Sequence, residues 1–278
     1  MKPIDTSFIP KSNIAYPAKT DMHYIKIKKN RNIKFDKNYP YVNNSKWFCF
    51  KKALVRLLLI LIVFPMTKVK LGLKVYGKKN LKNNKEIIKN GVISVSNHIH
   101  YFDYLAIMRT IKPIKPYVLV WKDNVNDSTG NLVRLVGGIP IPENDLVATK
   151  IYFKSLNNLL NNKKWLHIYA EGSMWEYYRP IRPFKTGAAY LATKNNKPII
   201  PIGFSYRKPG FIRRKIFKQI ALLNINVGKP ILPKMNIDLK SNVNELTIEI
   251  HKSVCELAGI DNNKYNPIFD DKTSNIIY

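Results

Sequence analysis

Acidic residues are scarce. Only 18 Asp and Glu stand against 47 Lys and Arg in 278 residues, a formal charge of +29. A field of that sign attracts nucleic acid, an anionic membrane, or an acidic substrate or carrier. Part of the excess is compositional, because Lys, Asn and Ile crowd the whole sequence, so charge alone does not choose the partner. Cysteine is nearly absent: Cys49 and Cys255 lie far apart, with no CxxC and no neighbouring His pair. That excludes a cysteine-built zinc site and a disulfide scaffold, and it suggests a reducing compartment. Long apolar runs are missing too. The run at 57–66 has 10 residues, whereas a spanning helix needs roughly 20. There is no GxSxG and no cysteine beside a base, which disfavours a covalent enzyme intermediate. What is present, 45% hydrophobic and 12% aromatic residues, is ample for a packed core and excludes generic disorder.

Three regions follow one another. Residues 1–46 are polar and aperiodic, with a loose positive tract at Lys26, Lys28, Lys29, Arg31, Lys34 and Lys37. They lack the apolar core and cleavage site of a signal peptide and read as a poorly packed basic arm. Residues 47–67 form an apolar helix. Trp47 and Phe48 suit headgroup depth, and Lys51, Lys52 and Arg56 suit snorkelling. An interfacial or re-entrant helix is favoured, with a buried core helix and a short span as the alternatives. Residues 68–278 alternate between strand and helix patterns. Strands are expected at 69–76, 91–96, 116–121, 138–141, 165–169, 198–204 and 221–227, and helices at 102–110, 145–161, 186–194 and 243–257. That alternation predicts an α/β fold, a layered mixed sheet flanked by helices. Two prolines, Pro198 and Pro201, bracket one apolar strand and suit an edge or a strand end.

The chemistry concentrates after two strands. Asn97-His98-Ile99-His100-Tyr101-Phe102-Asp103 leaves a buried strand and opens a helix, where open α/β sheets place ligands. On one regular helix His98 and Asp103 would stand about 140° apart at ~100° per residue. They meet only if His98 sits in the turn and Asp103 reaches back from the first helical turn. The carboxylate then fixes the imidazole tautomer and leaves the other ring nitrogen as a base. Asn97 can hold that turn, and His100 ranks second as the base. The bland alternative is an ordinary helix start with a structural histidine. Tyr169-Ala170-Glu171-Gly172-Ser173 lies past a second strand and can contact a polyol head group or simply turn on Gly172. Arg179, Arg182 and Lys185 precede a helix start and suit a phosphate, or form a solvated loop.

In order and spacing this set resembles the glycerolipid acyltransferase family, which contains the 1-acylglycerol-3-phosphate acyltransferases. The family's N-H-x4-D block matches Asn97, His98 and Asp103. Its F-P-E-G-T-R block matches Glu171, Gly172 and Ser173. Its F-K-x-G-A segment matches Phe184, Lys185, Gly187 and Ala188, and its apolar proline block matches Ile200-Pro201-Ile202. Gly138, Ile139 and Ile141 match the remaining block. The resemblance covers residues 69–228 and departs at two places: Pro142-Glu143-Asn144 and Met174 stand where the family usually carries arginine.

The resemblance implies acyl transfer from acyl-CoA or acyl-carrier protein to a lysophospholipid hydroxyl. His98 is the general base, Asp103 orients it, and Asn97, Glu171, Gly172 and Ser173 position the acceptor. It calls for no metal or bound cofactor. Arg179, Arg182 or Lys185 replace the missing arginines at the acceptor's phosphate, and another lysophospholipid or hydroxylated lipid stays open as acceptor. The apolar helix and basic surface then hold the enzyme, peripheral or monotopic, at the anionic cytoplasmic face of the cell membrane. Two other classes remain. One is a non-catalytic membrane-surface protein. The other is a nucleic-acid-binding protein, which the charge permits but for which no recognition motif is present.

Overall fold

The computed structural model describes residues 8–235 and 237–270; residues 1–7 of the arm and 271–278 of the α/β domain lie outside the described residues. In chain order the elements begin with α1 (Lys46–Leu58), a π-helical turn (Leu59–Val63) and α2 (Phe64–Lys70). β1 (Lys74–Tyr76), α3 (Lys78–Asn83), α4 (Lys85–Ile88), β2 (Val92–Ser96) and α5 (Asp103–Thr110) follow. Next come β3 (Tyr117–Val120), α6 (Lys122–Asn126), α7 (Gly130–Leu135), β4 (Gly138–Pro140), α8 (Leu146–Asn161) and β5 (Trp165–Tyr169). The chain continues through α9 (Gly187–Asn195), β6 (Ile199–Arg207), α10 (Phe211–Lys215), β7 (Leu222–Val227) and α11 (Leu239–Ala258).

One seven-stranded sheet has the order β1-β7-β6-β2-β5-β3-β4. Only the β6–β7 pair is antiparallel, so the mixed α/β sheet flanked by helices is as expected. Alternation within the strands separates two cores. Ile93 and Val95 of β2, with Leu166 and Ile168 of β5, face α8, α9 and α11. Val92, Trp165, Ile200 and Phe204 face the side carrying Ala106 and Ile107 of α5. Asp145 caps α8 by accepting from Ala148 N–H at 2.9 Å, and Asp238 caps α11 by accepting from Ser241 N–H at 2.9 Å. Such side-chain acceptors satisfy donors that a helix start leaves unpaired.

Four sequence expectations change. Residues 69 and 70 close α2, and only Lys74–Tyr76 is strand; the period-2 pattern there ran into a helix end. Pro201 is not at a sheet edge. It lies inside β6, between β7 and β2. Ladder pairing with β7 starts only at Ile202, and the Pro201 carbonyl accepts from Gly228 N–H at 2.9 Å. Pro201 therefore occupies a gap in the ladder that needs no donor.

The arm is not poorly packed. Residues 8–45 have no helix or strand, yet Tyr41 is buried in the core. The Arg31 guanidinium donates to the carbonyls of Val125 and Asp127 at 2.9 and 2.8 Å. Finally, Lys52 and Arg56 turn inward instead of snorkelling. Lys52 sits 3.7 Å from the Tyr117 ring centroid, and Arg56 donates to the carbonyls of Pro113 and Ile114.

α1, the π turn and α2 form one rod. Pro65 has no N–H and would crowd the carbonyl four residues back in a regular helix. The π turn, in which Phe64 N–H reaches Leu59 O, accommodates it. Trp47, Phe50, Leu54, Leu57, Leu61 and Met66 recur at helical spacing and are all exposed, while α1 buries no residue. The rest of the rod buries Leu59, Phe64 and Thr67, so one face lies on the core and the other is open. No helix among the described residues is long and apolar enough to cross a membrane.

Gly203 of β6 lets α11 approach closely. A Cβ there would lie 2.5 Å from Leu257 C and 2.6 Å from Ala258 N. Gly203→Ala is expected to push α11 off the sheet and lower stability by about 1–3 kcal/mol, read from the urea unfolding midpoint.

Candidate active site

The parallel register pairs Ser96 of β2 with Tyr169 of β5. His98 and Glu171, each two residues further on, therefore emerge at the same C-terminal edge of the sheet. The His98 N–H donates to Glu171 Oε2 at 2.8 Å. Further along, Asp103 opens α5 and reaches back. Its Oδ2 lies 2.8 Å from His98 Nδ1, and its Oδ1 accepts from the Tyr169 hydroxyl at 2.7 Å. An ionised carboxylate only accepts, so Nδ1 carries the ring proton and Nε2 keeps its lone pair. The Tyr169 ring stacks on the imidazole, with centroids 3.7 Å apart. The Asp103 side chain is 1% exposed and that of His98 22%: the carboxylate is hidden and the imidazole is partly open.

The backbone around His98 is fixed on every side. Asn97 pairs with Phe204 through both its amide N–H and its Oδ1. The His98 and Ile99 carbonyls accept from Trp175 N–H and Tyr177 N–H, each at 3.1 Å. Beneath the loop runs an ordered chain of donors. The indole of Trp165 donates to Ser94 Oγ at 2.7 Å, which leaves the Ser94 hydroxyl proton for His167 Nδ1 at 2.8 Å. His167 Nε2–H then faces Ser96 Oγ at 3.3 Å, and Ser96 donates to the Asn97 carbonyl at 2.9 Å. Burial pushes the His167 pKa down to about 3, so the ring stays neutral and the chain keeps its direction.

His100 is placed differently. Its Nδ1 accepts from Phe102 N–H at 3.0 Å, and its Nε2 faces Glu176 at 3.8 Å. The Nδ1 lone pair is thus taken, and burial lowers its pKa. Of the two histidines in this loop, His98 is the one whose Nδ1 contacts a carboxylate.

Residues 72–205 match the family described as Acyltransferase. Over that stretch the chain is similar to the acyltransferases. Both site segments, residues 97–103 and 169–173, fall inside the match. Among solved structures, the 1-acyl-sn-glycerophosphate (LPA) acyltransferase PlsC from Thermotoga maritima is similar, at 15% identity and a TM-score of 0.49, over 78% of this chain and 85% of that one. No curated protein matches the sequence.

In this stretch most of the polar groups expected to contact substrate are engaged internally. Asn97 braces β6, as described. Glu171 is 2% exposed and Arg182 1%. Arg182 Nη2 donates to Glu171 Oε2 at 2.9 Å, Arg182 N–H donates to Oε1 at 2.9 Å, and Arg182 Nη1 donates to Ser173 Oγ at 2.6 Å. Gly172 turns the chain at φ +79° beneath the Lys185 side chain, a backbone shape that favours glycine. Glu171, Ser173 and Arg182 thus form a buried clamp that carries the His98 amide. Arg179 donates to the Gly259 carbonyl at 2.7 Å and caps the C-terminus of α11, where a cation is favoured. Arg179 and Lys185 are half-buried, whereas Arg182 is buried.

Sequence reasoning missed the arm's part in this site. Thr20 O accepts from Arg182, and Asp21 pairs with Lys185 at 3.2 Å. Met22 O accepts from Trp175 Nε1, and His23 stacks on Trp121 with centroids 4.1 Å apart. Burial, followed by the charges of His98, Arg182 and Lys185, lowers the His23 pKa. Residues 20–23 therefore wall the edge that carries His98 and Glu171. No periodicity in the arm announces this. Tyr169 was missed as well, although its place on the His167 face of β5, next to Glu171, is a signal that alternation carries.

Glu171→Ala would leave the Arg182 guanidinium buried without its carboxylate. A loss of about 3–5 kcal/mol in folding stability is expected, measured by chemical denaturation.

Proposed function

We propose that this domain transfers a fatty acyl group from an acyl thioester, acyl-CoA or acyl-carrier protein, to a hydroxyl of a lysophospholipid. 1-Acyl-sn-glycerol-3-phosphate is the first acceptor to test. The observation that carries this reading is the 2.8 Å contact between buried Asp103 and His98 Nδ1, with Nε2 left open at the sheet edge.

His98 Nε2 takes the proton from the acceptor hydroxyl as that oxygen attacks the thioester carbonyl. The C–O bond forms and a tetrahedral oxyanion appears. Its collapse breaks the C–S bond, and the imidazolium returns its proton to the departing thiolate. Asp103 stabilises the imidazolium in between, and Tyr169 and Glu171 hold the pair in line. No enzyme nucleophile enters this sequence. The excess of cations draws the anionic donor and acceptor towards the protein. The exposed stripe of α1 seats the enzyme, peripheral or monotopic, on the cytoplasmic face of the cell membrane.

One observation favours a second acceptor class. Arg179 and Arg182 are bound to protein groups, and Glu143, at a position where the family usually has arginine, pairs with Lys122. Lys185, the third cation of the predicted set, is likewise paired, with Asp21. An acceptor lipid without a terminal phosphate monoester, another lysophospholipid or a hydroxylated lipid, fits such a site.

A panel of lysophospholipids, assayed with both donors and mass analysis of the products, distinguishes these readings. His98→Ala is expected to abolish ester formation, and Asp103→Asn to lower kcat by roughly 10²–10⁴, with secondary structure unchanged by circular dichroism. Wild-type transfer rates in a clean His98→Ala preparation would reject the mechanism.

A further inference from the structure

The segment joining β6 to β7 has no role in the chemistry above, and its composition is unusual. Residues 208–220 hold five cations, Lys208, Arg213, Arg214, Lys215 and Lys218, and no acid. Between them stand Phe211, Ile212, Ile216, Phe217 and Ile220, all exposed, with Phe211 and Ile216 each at 69%. Solvated loops seldom present five large apolar side chains together, and such a cluster on a soluble face marks an interaction surface.

Its position in the fold is fixed. β6 runs parallel to β2, so the chain leaving β6 emerges at the same sheet edge as the His98 loop. Arg213 and Gln219 dock it against the end of α2. Arg213 Nη1 donates to Val69 O at 2.7 Å, and Gln219 Nε2 donates to Lys70 O at 2.7 Å. These bonds satisfy carbonyls that the end of a helix leaves open. A depression of about 440 Å³ lies between Val69 and the segment's Phe211, Ile212 and Phe217. Val69 and Met66 are themselves exposed and continue the stripe of α1. On the other side, Lys70 Nζ lies 5.2 Å from the ring of Phe102, which is exposed beside His98. Exposed apolar side chains therefore run from α2, at Met66 and Val69, to Phe211, Ile212 and Phe217, with Phe102 beyond Lys70.

We infer that residues 208–220 are a second membrane-docking element, and that its occupant is the surface of an anionic phospholipid bilayer. Two features select that occupant. The apolar side chains form a shallow cluster with a rim of like charge, which matches acyl chains bordered by anionic headgroups. The cluster also continues the exposed stripe of α1 on the same edge as His98, so both elements contact one plane with the base beside it. A single helix leaves the protein free to roll about its axis. A second contact removes that freedom and sets the site mouth against the lipid. The inference concerns binding alone and stands whether or not acyl transfer is the reaction.

Sedimentation of the full chain with vesicles tests it. The probes are phosphatidylcholine vesicles and phosphatidylcholine vesicles containing phosphatidylglycerol. The triple variant Arg214→Gln, Lys215→Gln, Lys218→Gln is expected to bind the anionic vesicles on the order of a hundredfold more weakly than the unaltered chain. Its binding to neutral vesicles should be unchanged. A polarity-sensitive fluorophore on Phe217→Cys, in a Cys49→Ser background, should shift to the blue with anionic vesicles. It should do so even when His98→Ala removes any reaction. Anionic-vesicle binding by the triple variant equal to that of the unaltered chain, or a fluorophore that stays in water while the protein pellets, would overturn the inference.

Discussion

A carboxylate without exposed surface governs the site. Asp103 is sealed beneath the loop, and burying an ionised group costs several kcal/mol unless its acceptor positions are filled. The Tyr169 hydroxyl takes one oxygen and His98 Nδ1 the other. The imidazole is thus held by the electrostatic need of the carboxylate as well as by its own contacts, and only one of its nitrogens faces outward. Around this pair the fold adds further fixation. Glu171 grips the His98 amide, Asn97 ties the loop to β6, and the Trp165–Ser94–His167–Ser96 chain supports it from below. Glu171, in turn, accepts from the Arg182 N–H and Nη2, while Arg182 Nη1 donates to Ser173.

Much of this was legible in the sequence, for definite reasons. β2 and β5 were placed to within a residue because their two faces differ in texture and both are buried. The His98–Asp103 contact followed from spacing once a strand-to-helix turn was assumed. The clamp was only half legible. Glu171, Ser173 and Arg182 were picked out as polar groups beside a strand end, but sequence does not reveal which way a side chain points. They proved to bind one another, and Arg179 proved to cap a distant helix. The short helices at 78–88, 122–135 and 211–215 gave no signal, since a single turn or two is too short to display a 3.6-residue period. The arm was the largest misjudgement. Its anchors are single side chains (Tyr16, Arg31, Tyr41), each seated in a place prepared by residues about a hundred positions away or more.

The surface completes the same design. The rod of α1 and α2 and the 208–220 segment present apolar side chains among cations, and they meet where Arg213 and Gln219 hold the end of α2. Residues 20–23 pack against the loops around His98 and Glu171, with Asp21 on Lys185 and His23 on Trp121. The His98 imidazole thus stands in a loop braced from within, beside a wall built from the chain's own N-terminal arm.

The protonation state of one ring decides the account most directly. Nitrogen-15 NMR of the folded protein near neutral pH, with the His98 resonances assigned by their loss in His98→Ala, reports which nitrogen carries the proton. The account predicts a proton on Nδ1 and a bare Nε2. A proton on Nε2 with Nδ1 bare would mean that Asp103 does not orient the imidazole, and it would contradict the mechanism at its root.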